Sequence, residues 1–137
     1  MTDRDKVYTK VKKTIKQMLR LDHQGQVVTL AMMISGIVMS RKAQLSTMSS
    51  EIPSKTKDQS VEMRMRRWVK DDLDVEAVYL PFARQILEAL SHLPLVLVMD
   101  GSQAGRGCIV LMVGVLYQER ALPIAWLVSR GKRTCFS

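Results

Sequence analysis

The chain has 137 residues, enough for one ordinary domain or for a small helical domain plus part of another. Hydrophobic residues make up 47% and charged residues 25%, a balance that excludes a disordered chain. Its 21 Lys and Arg against 13 Asp and Glu give a net charge of +8, so a polyanion is the first partner to consider. The surplus is in front: residues 1–70 hold 15 basic against 6 acidic side chains, residues 71–99 hold 1 against 5, and residues 100–137 hold 5 against 2. Met1-Thr2-Asp3-Arg4-Asp5 lacks the basic-then-apolar order of a secretory signal, and no apolar run reaches the ~20 residues that span a bilayer. No membrane is therefore expected. Cys108 and Cys135 lie far apart without metal-ligand spacing, which fits a reducing cytoplasm, and Cys108 reads as a small buried hydrophobe.

Residues 5–20 place Val7, Val11, Ile15, Met18 and Leu19 near a 3.6-residue repeat, with Lys6, Lys10, Lys12, Lys13, Lys16 and Arg20 around the rest. That pattern predicts an amphipathic helix with a basic outer face. Asp22 or Gln24 is placed to cap the next helix, over residues 24–40. Its centre, residues 27–39, is apolar nearly all round, which predicts burial inside a bundle, with methionines as packing and Ser35 and Gly36 admitting a close neighbour. A basic turn at Ser40-Arg41-Lys42 leads to a short hydroxyl-rich helix over residues 43–50, an arrangement that resembles a helix-turn-helix pair. Pro53 ends it and residues 54–58 are a polar connection.

The next predicted helix, residues 59–70, carries Arg64, Arg66, Arg67 and Lys70 beside Trp68, four cations in seven residues, suited to phosphate contacts. The plainer alternative is a solvated face with Trp68 tucked inward. Asp71-Asp72-Leu73-Asp74 closes that helix and caps another over residues 74–91, in which Pro81 predicts a kink or a split. His92 falls in the break that follows.

Leu93-Pro94-Leu95-Val96-Leu97-Val98-Met99 then runs into Asp100-Gly101-Ser102. Such a run predicts a strand buried on both faces, ending on an acid where open sheets place their ligand sites. Residues 101–107 read as a loop, residues 108–117 as a second strand, Gln118-Glu119-Arg120 as a turn and residues 121–128 as a third strand, with Pro123 suited to an edge. Connections this short require an antiparallel meander, so the predicted class is α+β, helices first. The predicted divisions are a helical region over residues 1–72, a connecting helix over 73–92 and a sheet region over 93–137.

The loop Gly101-Ser102-Gln103-Ala104-Gly105-Arg106-Gly107 has no Gly-Lys-Ser/Thr ending and no helix behind it, which excludes the common nucleotide-binding loops. A receiver-like phosphoacceptor role for Asp100 would need a parallel sheet, which the short loop disfavours. A carboxylate beside a meander and a basic helical half fits one part of a two-metal nuclease centre, but two or three further acids are needed and only Glu119 follows Asp100.

These residues carry a resemblance. Leu97-Val98-Met99-Asp100-Gly101-Ser102, Leu111-Met112-Val113-Gly114-Val115-Leu116-Tyr117 and Arg120-Ala121-Leu122-Pro123-Ile124-Ala125-Trp126 resemble bacterial insertion-sequence transposases of the DDE type, in the group named after insertion sequence four. Thr29-Leu30-Ala31, Ser35-Gly36-Ile37, Ser40-Arg41 and Leu45-Ser46 resemble their helical DNA-binding region. Arg64, Arg66, Arg67 and Trp68 resemble the basic helix behind it, and Gly131-Lys132-Arg133 the start of a later turn. The resemblance implies an RNase H-like catalytic fold, of which residues 93–137 would be the first three strands, with Asp100 as first catalytic aspartate and metal ligand for Mg²⁺ or Mn²⁺. It implies transposon-end duplex DNA as partner, contacted through Arg41, Lys42, Arg64, Arg66, Arg67 and Lys70, and a second copy or an intact transposase as further associates. The family's second aspartate and its glutamate have no counterpart before Ser137, so the expectation is an early-ending chain, inactive alone in DNA cleavage and strand transfer. The alternative is a non-catalytic DNA-binding protein or repressor of transposition.

Overall fold

The computed structural model describes residues 1–19, 24–71, 74–105 and 107–130. Five helices precede a three-stranded antiparallel sheet, so the α+β class and the order of its parts are as expected. The chain divides into two compact units, Met1–Val78 and Tyr79–Ser137.

In the first unit α1 spans Asp3–Met18. It starts earlier than the apolar repeat suggests because Thr2 caps it: the Asp5 amide donates to the Thr2 hydroxyl (3.3 Å) and the Thr2 amide donates to the Asp5 carboxylate (2.8 Å). Ile15 and Leu19 are buried, whereas Lys6, Lys10, Lys13 and Lys16 face solvent. Helix α2 spans Gln24–Ser40 as predicted. It buries mainly small residues, Thr29, Ala31, Ser35 and Gly36, together with Val27, while Ile37 and Val38 are exposed. The expectation of a helix inside a bundle holds for its middle: residues 26–36 are buried or half-buried, exposure is confined to residues 24, 25, 37 and 38, and the small side chains let neighbours approach closely.

Gly36 is the closest point. A Cβ there would lie 2.8 Å from the Met48 Cβ and 3.0 Å from the Met48 carbonyl oxygen. Met48 belongs to α3 (Leu45–Ser50), and α4 spans Asp58–Lys70. Met48, Ile52, Val61 and Met65 form the core between α3 and α4, with Met32, Met33 and Leu45 against it, so these methionines pack as expected. The turn after α2 is held by the Arg41 amide donating to the Ile37 carbonyl, with Arg41 in the left-handed region at φ 57. The proposed caps at Asp22 and Asp72, like Arg20, lie outside the described residues. Asp74 does cap α5 (Val75–Ala89), accepting from the Ala77 amide at 3.0 Å.

Helix α5 runs through Pro81 unbroken, so of the expected kink or split the split does not occur. Pro81 lacks the N–H that would bond the Ala77 carbonyl, but that loss of one bond is local, and Ala83 and Leu90 remain buried beyond it.

The sheet of the second unit has the order β1-β2-β3, with β1 Leu97–Ala104, β2 Cys108–Tyr117 and β3 Arg120–Arg130. The meander is as predicted; β1 is not. Residues 93–96 lie before the strand, and residues 101–104, expected in a loop, continue it, paired from Gly101↔Leu111 to Ala104↔Cys108. Nor is β1 buried on both faces: Leu97 is 61% exposed and Met99 68% on one face, while Val98 on the other is half-buried. Cys108 is only half-buried. The β2–β3 hairpin turns on Gln118 and Glu119, both at positive φ (47° and 62°), a two-residue turn whose twist matches the strands. β3 is an edge strand and carries Pro123 at the irregularity between Val113 and Gly114, where a missing donor costs no ladder bond. At that end of the sheet Val115 is buried, Tyr79 donates to the Pro123 carbonyl (2.6 Å) and its ring meets Trp126 edge-on at 4.6 Å.

Candidate nucleic-acid interface

Of the six cations expected to meet DNA, four are on α4, and helical spacing divides them. Arg64 and Arg67, three residues apart, are neighbours on one side, Lys70 follows three beyond Arg67, and Arg66 points well away from Arg64. Arg66 is paired with Glu62 one turn earlier at 2.7 Å. Among the described residues Arg64, Arg67 and Lys70 form no ion pair, and all three are exposed.

Arg64 and Arg67 line an open cleft of about 1010 Å³ between the first turns of α2 and one face of α4, with Gln26, Thr29, Gln59, Trp68 and Asp71. Thr29 organises its floor. The buried Thr29 hydroxyl donates to the Gly25 carbonyl (2.9 Å) and accepts from the Arg64 Nε at 3.0 Å. Tyr8 of α1 stands near the same guanidinium: burial pushes its hydroxyl pKa up, and the Arg64 charge opposes that shift. Lys12 lies 5.7 Å from the Tyr8 ring centroid, so α1 adds a further cation beside α4. Thr29, Tyr8 and Lys12 were missed by sequence reasoning. The Tyr8–Lys12 spacing of four residues was visible, but nothing along the chain linked it to Arg64. Trp68 is tucked inward, with its indole nitrogen shielded from solvent and without an acceptor among the described residues.

Arg41 and Lys42 lie elsewhere. They follow the far end of α2, twelve residues beyond Thr29 and hence roughly 18 Å along the helix axis. The Lys42 backbone is fixed by the Ser40 hydroxyl, which accepts from its amide and donates to its carbonyl, and both side chains are exposed. The structure thus holds two separated basic groups instead of one patch.

Asp100 is the fourth of eight residues in β1, in mid-strand and exposed, which corrects its expected place at a strand end. It stands across from Met112, which stands across from Trp126, so its row on the sheet is apolar. Glu119, the one acid after it in sequence, is in the β2–β3 turn. From Met112 to Tyr117, just before that turn, β2 runs roughly 17 Å. Among the described residues no group of three or more His, Cys, Asp or Glu side chains is placed to hold a metal ion. One mid-strand carboxylate among Met112 and Trp126 does not fit the Mg²⁺ or Mn²⁺ centre that the resemblance implies, since hard divalent cations need several oxygen ligands. Gly131-Lys132-Arg133 and Arg106 lie outside the described residues.

No family model, no curated protein and no solved structure matches the chain. Among the described residues no helix is long and apolar enough to cross a membrane.

Proposed function

We propose that this chain binds duplex DNA through its helical unit and is of the insertion-sequence DDE transposase type, with the meander corresponding to the opening strands of an RNase H-like sheet. The observation that carries the binding is the pair Arg64 and Arg67, on one side of α4, exposed and without acidic partners among the described residues, in an open cleft. Such side chains neutralise phosphates and release counterions, the source of most sequence-independent affinity. The transposase type is supported by the order of the resembling segments along the chain. Transposon ends are the DNA that type implies, and Arg41 and Lys42 would supply a second contact.

Cleavage and strand transfer are a separate matter. Asp100 would be the first metal ligand, and among the described residues it belongs to no group of three or more acidic, His or Cys side chains. That favours the non-catalytic reading, a DNA-binding protein or a repressor of transposition, for these residues taken alone. A mobility-shift titration against duplex DNA at several salt concentrations tests the binding: affinity falls steeply with salt, and a flat salt response sinks the proposal. A nicking assay on transposon-end DNA with Mg²⁺ or Mn²⁺ tests the second point, where robust Asp100-dependent cleavage would overturn it.

A further inference from the structure

We infer that the cleft between α2 and α4 seats one phosphate group of a polynucleotide backbone on Arg64, and that Thr29 is the positioning residue that aims this arginine. The inference rests on the DNA-binding reading and narrows it to one place and one geometry.

The geometry begins with the guanidinium. It carries five N–H donors in a rigid fork and grips a phosphate best through two parallel bonds from one edge. In Arg64 the Nε is already committed to the Thr29 hydroxyl at 3.0 Å. The end-on edge, made of the two terminal nitrogens, is left for a ligand, and no carboxylate is within ion-pair distance of it among the described residues. Thr29 is itself fixed: it is 2% exposed and its hydroxyl proton goes to the Gly25 carbonyl, so its remaining lone pairs are aimed by the helix. A long side chain that would otherwise lose considerable rotamer freedom on binding is therefore held beforehand.

The surroundings suit an anion held at its edge. Arg67 adds a second positive charge one turn on, and Gln26 and Gln59 add neutral donors from two helices. Trp68 lines the cleft with its ring, its indole nitrogen being shielded from solvent. Asp71 lines the far end and repels anions, which confines a phosphate to the Arg64 end. Arg66, on another side of α4 and paired with Glu62, has no part in this site.

The test uses the full chain, a fluorescently labelled duplex and a salt series. Arg64→Ala is expected to weaken binding and to reduce the steepness of log K against log salt by about 0.9, one phosphate contact, and Arg67→Ala to weaken binding with a smaller change of slope. Thr29→Val, which keeps the shape but removes the acceptor, is expected to lose affinity several-fold with the slope unchanged, because the charge remains but is no longer aimed. A merely structural role for Thr29 would lower the melting temperature without that signature. Arg66→Ala is expected to leave the slope within experimental error. In a Trp126→Phe background, where Trp68 is the remaining tryptophan, inorganic phosphate is expected to change the emission, and Arg64→Ala to abolish the change. Duplex binding with unchanged slopes in Arg64→Ala and Arg67→Ala overturns the cleft and leaves the DNA reading standing. An Arg64-dependent phosphate response without duplex binding supports the cleft and overturns the DNA reading. Absence of both overturns both.

Discussion

Arg64 and Arg66 are two residues apart, carry the same charge, and have different surroundings. One is held by a buried hydroxyl from another helix and keeps an open edge; the other closes on Glu62 in its own helix. Their roles could not be separated along the chain, because Thr29 lies 35 positions before Arg64. Asp100 was legible as unusual, an acid at the end of an apolar run, but its neighbours were not. Asp100→Asn is expected to leave duplex affinity unchanged in a mobility-shift assay, since it lies outside the helical unit. Acid provides another residue-scale test. The Thr2 hydroxyl, then the Thr2 amide, hold the Asp5 carboxyl below its ordinary 3.8. A carboxylate with a depressed folded-state pKa contributes above its unfolded value and loses that contribution as pH falls through the folded one. The first turn of α1 is therefore expected to be intact above pH 4 and to fray below it, read by the Asp5 amide shift in NMR, and Asp5→Asn is expected to remove the transition.

Among the elements, the helices were the most legible, because a 3.6-residue repeat in residues 5–20 and 59–70 is a local property. A close neighbour at Gly36 was anticipated, and the structure identifies it as Met48 of α3. Gly36→Ala gains up to about 1 kcal/mol of helix propensity. It also forces a methyl into the Met48 backbone, an overpacking that costs ~1–3 kcal/mol. Because the obstacle includes backbone, the cost wins, and a net loss of about 1–2 kcal/mol is expected in urea denaturation. In the sheet, burial decides the cost of each side chain. Val115→Ala, at a buried position, is expected to lose roughly 2 kcal/mol from two missing carbons and the space they leave. Leu127→Lys, at a position 64% exposed, is expected to stay within ~0.5 kcal/mol, measured the same way. Strand β1 was misplaced by an apolar run that began before it and by glycine and serine read as a loop. Pairing with β2 overrode both, continuing from Gly101↔Leu111 to Ala104↔Cys108.

For the whole molecule, charge is the governing property. The +8 is carried by the front half, and the structure assigns five exposed cations there to two groups, Arg64, Arg67 and Lys70 on α4 and Arg41 with Lys42 past α2. If each neutralises one phosphate, the salt slope is about −4.5, a loss on the order of 500-fold between 50 and 200 mM salt. A filter-binding series gives the slope directly, and a value near zero would show that these cations are simply solvated. The sheet carries the opposite character, with Leu97, Met99, Leu127 and Val128 more than half exposed.

The sequence by itself determined the class and order of the elements, the antiparallel meander and the basic front half. Each follows from local periodicity, loop length or composition, which need no knowledge of what folds against what. Only the tertiary structure decided that the Thr29 hydroxyl holds the Arg64 Nε, that Arg66 is engaged by Glu62, and that Asp100 stands in mid-strand across from Met112. Those are facts of juxtaposition: a hydrogen bond across 35 residues, or the partner of a residue across a sheet, depends on packing and register that no stretch of chain encodes alone.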